Sequence, residues 1–166
     1  MCNWAKDRQL KTFINTNGSR PEVVNLLMKK EILDYVAIDI KAPLRPEVYG
    51  IVSGLGKSAE GVVENVKKTL ELCREGGLDV EARTTIVPGL IDNEEHIREI
   101  ARSVKDCMIY VVQEFYHSEE VLDKQLRTVR SPSREFLVKL AFSALEEGVE
   151  EVYIRTRERG MERVSK

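Results

Sequence analysis

Tyr35-Val-Ala-Ile-Asp-Ile-Lys-Ala-Pro43 is the stretch on which the reading of this chain turns. It opens as an apolar, β-branched run, the pattern of a buried parallel strand. Asp39 and Lys41 then stand two residues apart, and side chains at i and i+2 share one face of a strand. A carboxylate and an ammonium therefore meet at the strand's C-terminal end, just before Pro43 stops it. Open α/β sheets and α/β barrels hold their ligands at that end. On this segment alone a structural ion pair explains the two charges equally well.

Upstream, Trp4-Ala5-Lys6-Asp7-Arg8 reads as the last turns of a helix with no start signal before it, which hints that the natural domain extends further N-terminal. Lys11 to Asn15 is a short strand ending in the turn Asn15-Thr16-Asn17-Gly18. Ser19, Pro21 and Glu22 have capping-box spacing and start a helix that runs to about Glu31.

Downstream, 42–57 reads as a loop. Its Gly56-Lys57-Ser58 is no phosphate loop, because the first glycine of that pattern would fall on Ile51. Ser58 instead caps a helix over 59–75, which Gly76-Gly77 ends. Asp79 to Val87 is a strand with Glu81, Arg83 and Thr85 on one face. Arg83 is an anion clamp if that face looks into a ligand crevice; otherwise the strand is an edge with a solvated face. Asp92 or Asn93 caps a helix to about Val104. Cys107 to Phe115 is the fourth strand, with Gln113 near its end and His117 in a solvated loop. Residues 118–131 form a short helix with a loop. A helix starts at Ser131-Pro132 and runs to about Glu147, Val149 to Arg155 is a fifth strand, and the basic tail 156–166 is mobile. The order βαβαβαβαβ means right-handed crossovers and a parallel sheet in one α/β domain spanning 1–166.

Composition bounds the partners. Charged residues are 33% and aromatic residues 6%, a surface rich in Glu, Lys and Arg of the kind common in heat-stable proteins. The net charge of −2 and the lack of a long apolar run point to a soluble cytoplasmic chain with no nucleic-acid or membrane partner. Cys2, Cys73 and Cys107 are far apart, at no metal-site spacing, and read as reduced, mostly buried thiols.

Thr16-Asn17-Gly18, Asp39-Ile40-Lys41, Arg83 with Val87-Pro88-Gly89, and Gln113 come in a familiar order. Over roughly residues 5–115 the chain resembles the radical S-adenosylmethionine (SAM) activating enzymes, of the pyruvate formate-lyase activase and anaerobic ribonucleotide reductase activator types. The resemblance implies a partial, TIM-like barrel equivalent to the C-terminal strands, three to six, of a (β/α)6 barrel. It implies that Lys41 approaches SAM, that Arg83 meets the ligand's carboxylate, and that Asp39 helps to hold a monovalent cation beside the site. Thr16 matches the family position, Asn15 stands where the family often has an Asp, and Gln113 is nearest to a position that often carries His. The family's Cys-x-x-x-Cys-x-x-Cys loop, which holds a 4Fe-4S cluster, is missing, as is its Gly-Gly-Glu element. The cofactor expected is therefore SAM, weakly held by Thr16, Asn17, Asp39, Lys41, Arg83 and Gln113, with no metal ligand and no catalytic residue supplied by this chain.

Three functional expectations follow. The first is a truncated activase-like protein, inactive alone, with part of the SAM site. The second is a half-barrel binding or assembly module, in which the strand at 11–15 is an open edge that a second copy or a partner covers. The third is an unrelated α/β lyase or isomerase using Asp39 and Lys41 in acid–base or Schiff-base chemistry.

Overall fold

Parallel strands laid side by side in chain order, each followed by a right-handed crossover, put all their helices on one face of the sheet. The computed structural model has this arrangement. It describes residues 2–119, 121 and 123–165, with side chains from residue 4 onward. The expectations for Met1, for the Cys2 thiol and for residues 120 and 122 lie outside that set, as does the last residue of the tail. The elements are α1 (Cys2–Lys6), β1 (Phe13–Thr16), α2 (Pro21–Lys29), β2 (Tyr35–Asp39), α3 (Pro46–Ser53), α4 (Ala59–Glu75), β3 (Asp79–Ile86), α5 (Glu94–Val104), β4 (Ile109–Glu114), α6 (Arg134–Glu146), β5 (Val152–Thr156) and β6 (Gly160–Val164). One six-stranded sheet runs in the order β1-β2-β3-β4-β5-β6. The first five strands are parallel and β6 is antiparallel to β5. A sheet wound in one direction is the wall of a barrel rather than a doubly wound sheet.

Register divides the sheet into two unlike faces. Val36, Ile38, Val80, Ala82, Tyr110, Val112, Val152 and Ile154 are buried on one face. They pack in one core with Val24 of α2, Val63 and Val66 of α4, Ile97 and Ile100 of α5, and Leu137 and Leu140 of α6. The opposite face carries Asn15, Asp39, Glu81, Arg83, Thr85, Gln113 and Arg155 in laterally aligned rows. β3 lies between β2 and β4, so the polar face of this strand is not the solvated face of an edge. The strand at the edge is β1, as expected, and its Phe13 is 60% exposed.

The turn after β1 is pinned from the helix side. Gly18 has φ +72°, and a Cβ there would lie 3.2 Å from Ile38 Cγ2 and 3.3 Å from Val66 Cγ2. Its carbonyl accepts a 2.7 Å hydrogen bond from Thr69 Oγ1, and Asn65 Nδ2 donates to the Ser19 carbonyl at 3.0 Å. Helix α4 thus holds the Thr-Asn-Gly turn against the end of β2.

Several local expectations are corrected. The segment 42–57 is not all loop: Pro46 at the first helical turn and Gly54 in the left-handed region bound α3. Gly50 inside α3 lets the helix pass the Gly56 carbonyl, which a Cβ would strike. The capping box at Ser19 and Glu22 does not form. Asn17 Oδ1 takes the Ser19 hydroxyl at 2.7 Å, and Arg20 becomes the uncapped N-cap of α2. Ser58 likewise gives no side-chain cap, because α4 continues a 3-10 turn over Gly56–Ser58. Helix α6 starts after Pro132, with Ser133 as its N-cap accepting from the Phe136 N–H at 3.2 Å. A 3-10 turn over Lys124–Thr128, capped by Asp123, is the helical part of 118–131. The expected mobile tail contains β6: Gly160, at φ +69°, turns the chain back along β5, Val164 enters the core, and Glu162 pairs with Arg134 of α6 at 3.0 Å. Among the described residues no helix is long and apolar enough to cross a membrane.

Two of the positive-φ glycines, Gly18 and Gly54, make a test. A left-handed alanine costs roughly 1–2 kcal/mol by itself. Gly54→Ala, with nothing within 4 Å of the added methyl, is expected to lose that much. Gly18→Ala is expected to lose clearly more, because Ile38 and Val66 must also move. Urea unfolding of the two variants checks the order.

Candidate functional site

Asp39 is the last residue of β2, and the chain stays extended one step beyond it, because the Ile40 N–H donates to the Arg83 carbonyl at 2.8 Å. Ile40 turns into the core, so Asp39 and Lys41 turn together to the polar face. Both are exposed, and among the described residues neither enters an ion pair or a side-chain hydrogen bond. The structural ion pair that the spacing allowed is absent. The two charges instead line a cavity of about 120 Å³ at the C-terminal ends of β2 and β3, with Arg83, Thr85, Val52 of α3 and Val87.

Arg83 is held from behind. Its Nε pairs with the Glu81 carboxylate and one Nη donates to Asn15 Oδ1 at 2.8 Å. The Tyr35 hydroxyl donates to the other Glu81 oxygen. The Glu81 side chain is 7% exposed and that of Arg83 is 16% exposed. Burial pushes the Glu81 carboxyl up, but the hydrogen bonds from Arg83 and Tyr35 outweigh it and leave the pKa below the ordinary carboxylate value. Burial, and then Glu81, push the Tyr35 hydroxyl far up, so it stays a proton donor. The second Nη of Arg83 makes no hydrogen bond among the described residues.

Asn15, Asp39, Lys41 and Arg83 are thus brought together. Thr16, the last residue of β1, lies in register with Ile38 on the helix side of the sheet, and Asn17 follows in the β1–α2 turn; the oxygens of both are engaged locally. Thr16 Oγ1 accepts from the Gly18 N–H at 3.1 Å, and Asn17 Oδ1 accepts from the Ser19 N–H at 3.0 Å. Gln113 faces the same side one row further on, 3.5 Å from Thr85 Oγ1, and lines a neighbouring cavity. Sequence reasoning put Glu81 on the right face without making it the partner of Arg83, and it assigned Tyr35 no role. The opposite charges at i and i+2 of β3 were the available signal for the first. The second depends on strand register.

The described side chains offer no set of ligands for an iron–sulfur cluster. Among the described residues no group of three His, Cys, Asp or Glu side chains could hold a metal ion. Cys73 is buried in the helix-side core, where burial raises its thiol to about 11. Burial, then Cys73 and Asp106, push Cys107 up to about 12. Neither is a ready thiolate at neutral pH.

The chain is 34% identical over 156 residues to a candidate glycyl-radical enzyme activating enzyme of Methanocaldococcus jannaschii. That match takes in 94% of this chain and 63% of the relative, so the chain spans less than two thirds of the relative's length. Its fold is similar to a domain of the pyruvate-formate lyase-activating enzyme of Bacteroides vulgatus, with TM-score 0.67 at 14% identity over 93% of this chain and 87% of that one. It is also similar to a radical SAM methyltransferase of Sphaerobacter thermophilus, with TM-score 0.69 at 14% identity over 89% of this chain and 42% of that one. No protein-family model matches the chain. The resemblance read from the residues is upheld: the chain is a homologue of that candidate activating enzyme, and its fold is similar to those of the activase-domain and radical SAM structures.

Removing the Glu81 charge leaves Arg83 partly buried without its main partner. Glu81→Gln is expected to cost about 3 kcal/mol at pH 7. The folded carboxyl titrates below its ordinary value near 4.5. Its contribution is therefore present above that pH and lost as pH falls through the folded pKa. Urea midpoints measured from pH 7 to pH 3 are expected to show the gap between the native chain and Glu81→Gln closing below about pH 4.5. A gap that stays constant across the series would remove Glu81 from this role.

Proposed function

We propose that this chain is the half of a radical SAM activase that faces S-adenosylmethionine, with part of the ligand site on Asp39, Lys41 and Arg83, and that it does not cleave SAM alone. The observation that supports this most directly is that Asp39 and Lys41 share one cavity without pairing to each other. Beside them, Arg83 is held by Glu81 and Asn15 with an edge to spare. An ammonium and a guanidinium edge suit a carboxylate, and Asp39 suits a cationic group. S-adenosylmethionine carries both. A cavity of about 120 Å³ takes the charged head of such a molecule rather than the whole, since pockets for small molecules hold roughly 300–1,000 Å³. In this reading the rest of the site comes from strands outside these residues. When complete, the family's cofactors supply a one-electron cleavage of SAM; here the residues only bind and orient.

The edge at β1 is where those strands attach in this reading. The curated relative is longer, and β1 is an unpaired edge with Phe13 exposed. Pairing with a partner strand, from the same polypeptide or from another copy, also puts the partner beside Asn15 and Arg83. A lysine nucleophile, as in the alternative lyase reading, needs a desolvated amine. Lys41 is exposed, which disfavours that chemistry.

Two measurements test the proposal. After anaerobic treatment with iron and sulfide, the 166-residue chain is expected to show no 4Fe-4S absorbance band. Titrated with SAM, it is expected to bind with a Kd on the order of 1 mM, and Lys41→Ala and Arg83→Ala are expected each to weaken binding at least tenfold. A stoichiometric cluster band, or binding indifferent to both substitutions, overturns it; trapping of a carbonyl compound on Lys41 by borohydride would favour the lyase instead. For the edge, light scattering is expected to show a species larger than one 19.0 kDa chain. A stable monomer at all concentrations removes self-pairing at β1.

A further inference from the structure

Most arginines of this chain are spoken for. Among the described residues eight of the fourteen arginines, Arg83 and Arg98 among them, lie within 4 Å of a carboxylate oxygen. Arg155 and Arg157, at the end of β5, make no ion pair among the described residues. They sit side by side on a cavity of about 340 Å³ whose other walls are Gln113, Glu114, Tyr116 and Thr156. None of these residues lines the Asp39–Lys41 cavity.

Neither guanidinium has a carboxylate partner among the described residues, and each is held by a weaker contact. Arg155 is half-buried and faces the polar side in register with Gln113. Its polar contact is the Met161 thioether, a weak acceptor, at 3.4 Å. The Arg157 guanidinium lies over the Tyr116 ring, 4.0 Å from its centroid, and His117 stacks against the same tyrosine at 5.4 Å. That stack holds the guanidinium in place and leaves its N–H edges open. Glu114 lies in the same wall, where one of its oxygens accepts the Arg157 backbone N–H at 2.8 Å; among the described residues it makes no ion pair with either guanidinium.

We propose that the end of β4 and β5 is a carboxylate-binding site in which Arg155 and Arg157 grip the anion and the Gln113 carboxamide orients it. With Glu114 in the wall, the lining carries a net charge of about one positive, which suits a monoanion such as a carboxylate better than a phosphate dianion. The carboxylate comes either from a free organic acid or from an acidic side chain of a polypeptide; the chemistry of the grip is the same. The chain's own net charge of −2 disfavours non-specific attraction of anions, so binding here reports the site.

The test is a titration of the 166-residue chain followed through its arginine Nε–Hε resonances. The probes are hexanoate, a blocked eight-residue peptide with one central glutamate, and the same peptide with glutamine in its place. The expected result is saturable shifts of Arg155 and Arg157 with a carboxylate probe, at least tenfold weaker binding of the glutamine peptide, and at least tenfold weaker binding to the Arg155→Gln/Arg157→Gln variant. Arg159→Gln, on the same hairpin outside the cavity, is expected to bind as the native chain does. Tighter binding of the glutamate peptide than of hexanoate assigns the source to a polypeptide; equal or tighter binding of hexanoate assigns it to a free acid. Indifference to the glutamate-to-glutamine change, or unaltered affinity in the double variant with its urea midpoint intact, overturns the proposal. The outcome is independent of SAM binding at Lys41.

Discussion

The packing of helices on only one face of the sheet governs this protein. Strands β1 to β5 run parallel and in chain order, so every crossover delivers its helix to the same side. Val36, Ile38, Val80, Tyr110 and Ile154 are spent on that side against α2, α4, α5 and α6. The side chains between them in sequence have no helices above them and are free to be polar. A doubly wound sheet would have needed apolar residues at Glu81, Arg83 and Gln113. The one-sided sheet turns those positions into a chemical surface.

That surface still has to be held together inside a sheet. Ala37 and Val111 lie under it and are fully buried, shielded by the longer side chains around them. The Tyr35–Glu81–Arg83–Asn15 chain of hydrogen bonds crosses three strands and satisfies a carboxylate and a guanidinium that are almost out of solvent. Arg83 is thereby fixed in place while Asp39 and Lys41, one strand over, remain unpaired among the described residues. The contrast between satisfied and unsatisfied charges separates scaffold from candidate site, and it recurs at the β4–β5 end, where Arg155 and Arg157 lack the carboxylate that most other arginines have.

The two edges of the sheet are unlike. At one end β6 turns back on β5 and is tied to α6 through Arg134 and Glu162, with Arg163 paired to Glu151. At the other end β1 is four residues long with an exposed aromatic ring. The likeness to a structure that this chain covers over only 42% of its length shows that the same wall also exists as part of something larger. The finer reading, that strands from elsewhere complete the wall at β1, rests on that edge.

What the sequence determined by itself was whatever depends on short spacing. The apolar run Tyr35–Ile38 made a buried strand, Asp39 and Lys41 two apart made a shared face, and alternating strand and helix patterns made a parallel α/β sheet, because periods of 2 and 3.6 are local properties. The order of Thr16, Asp39, Lys41 and Arg83 carried the family likeness, which the relative upholds. Helix α3 was lost to a stretch rich in Pro and Gly, and β6 to a run of charges, because each is stabilised by what it packs on rather than by its own pattern. Glu81 and Arg83 stand two apart on β3, so the sequence held the signal for that pair, but the joining of Tyr35 to Glu81 and of Asn15 to Arg83 was decided by tertiary structure alone. It depends on the register of three strands, which brings residues from positions 15, 35 and 81 to one point, and no local periodicity encodes distances across a sheet.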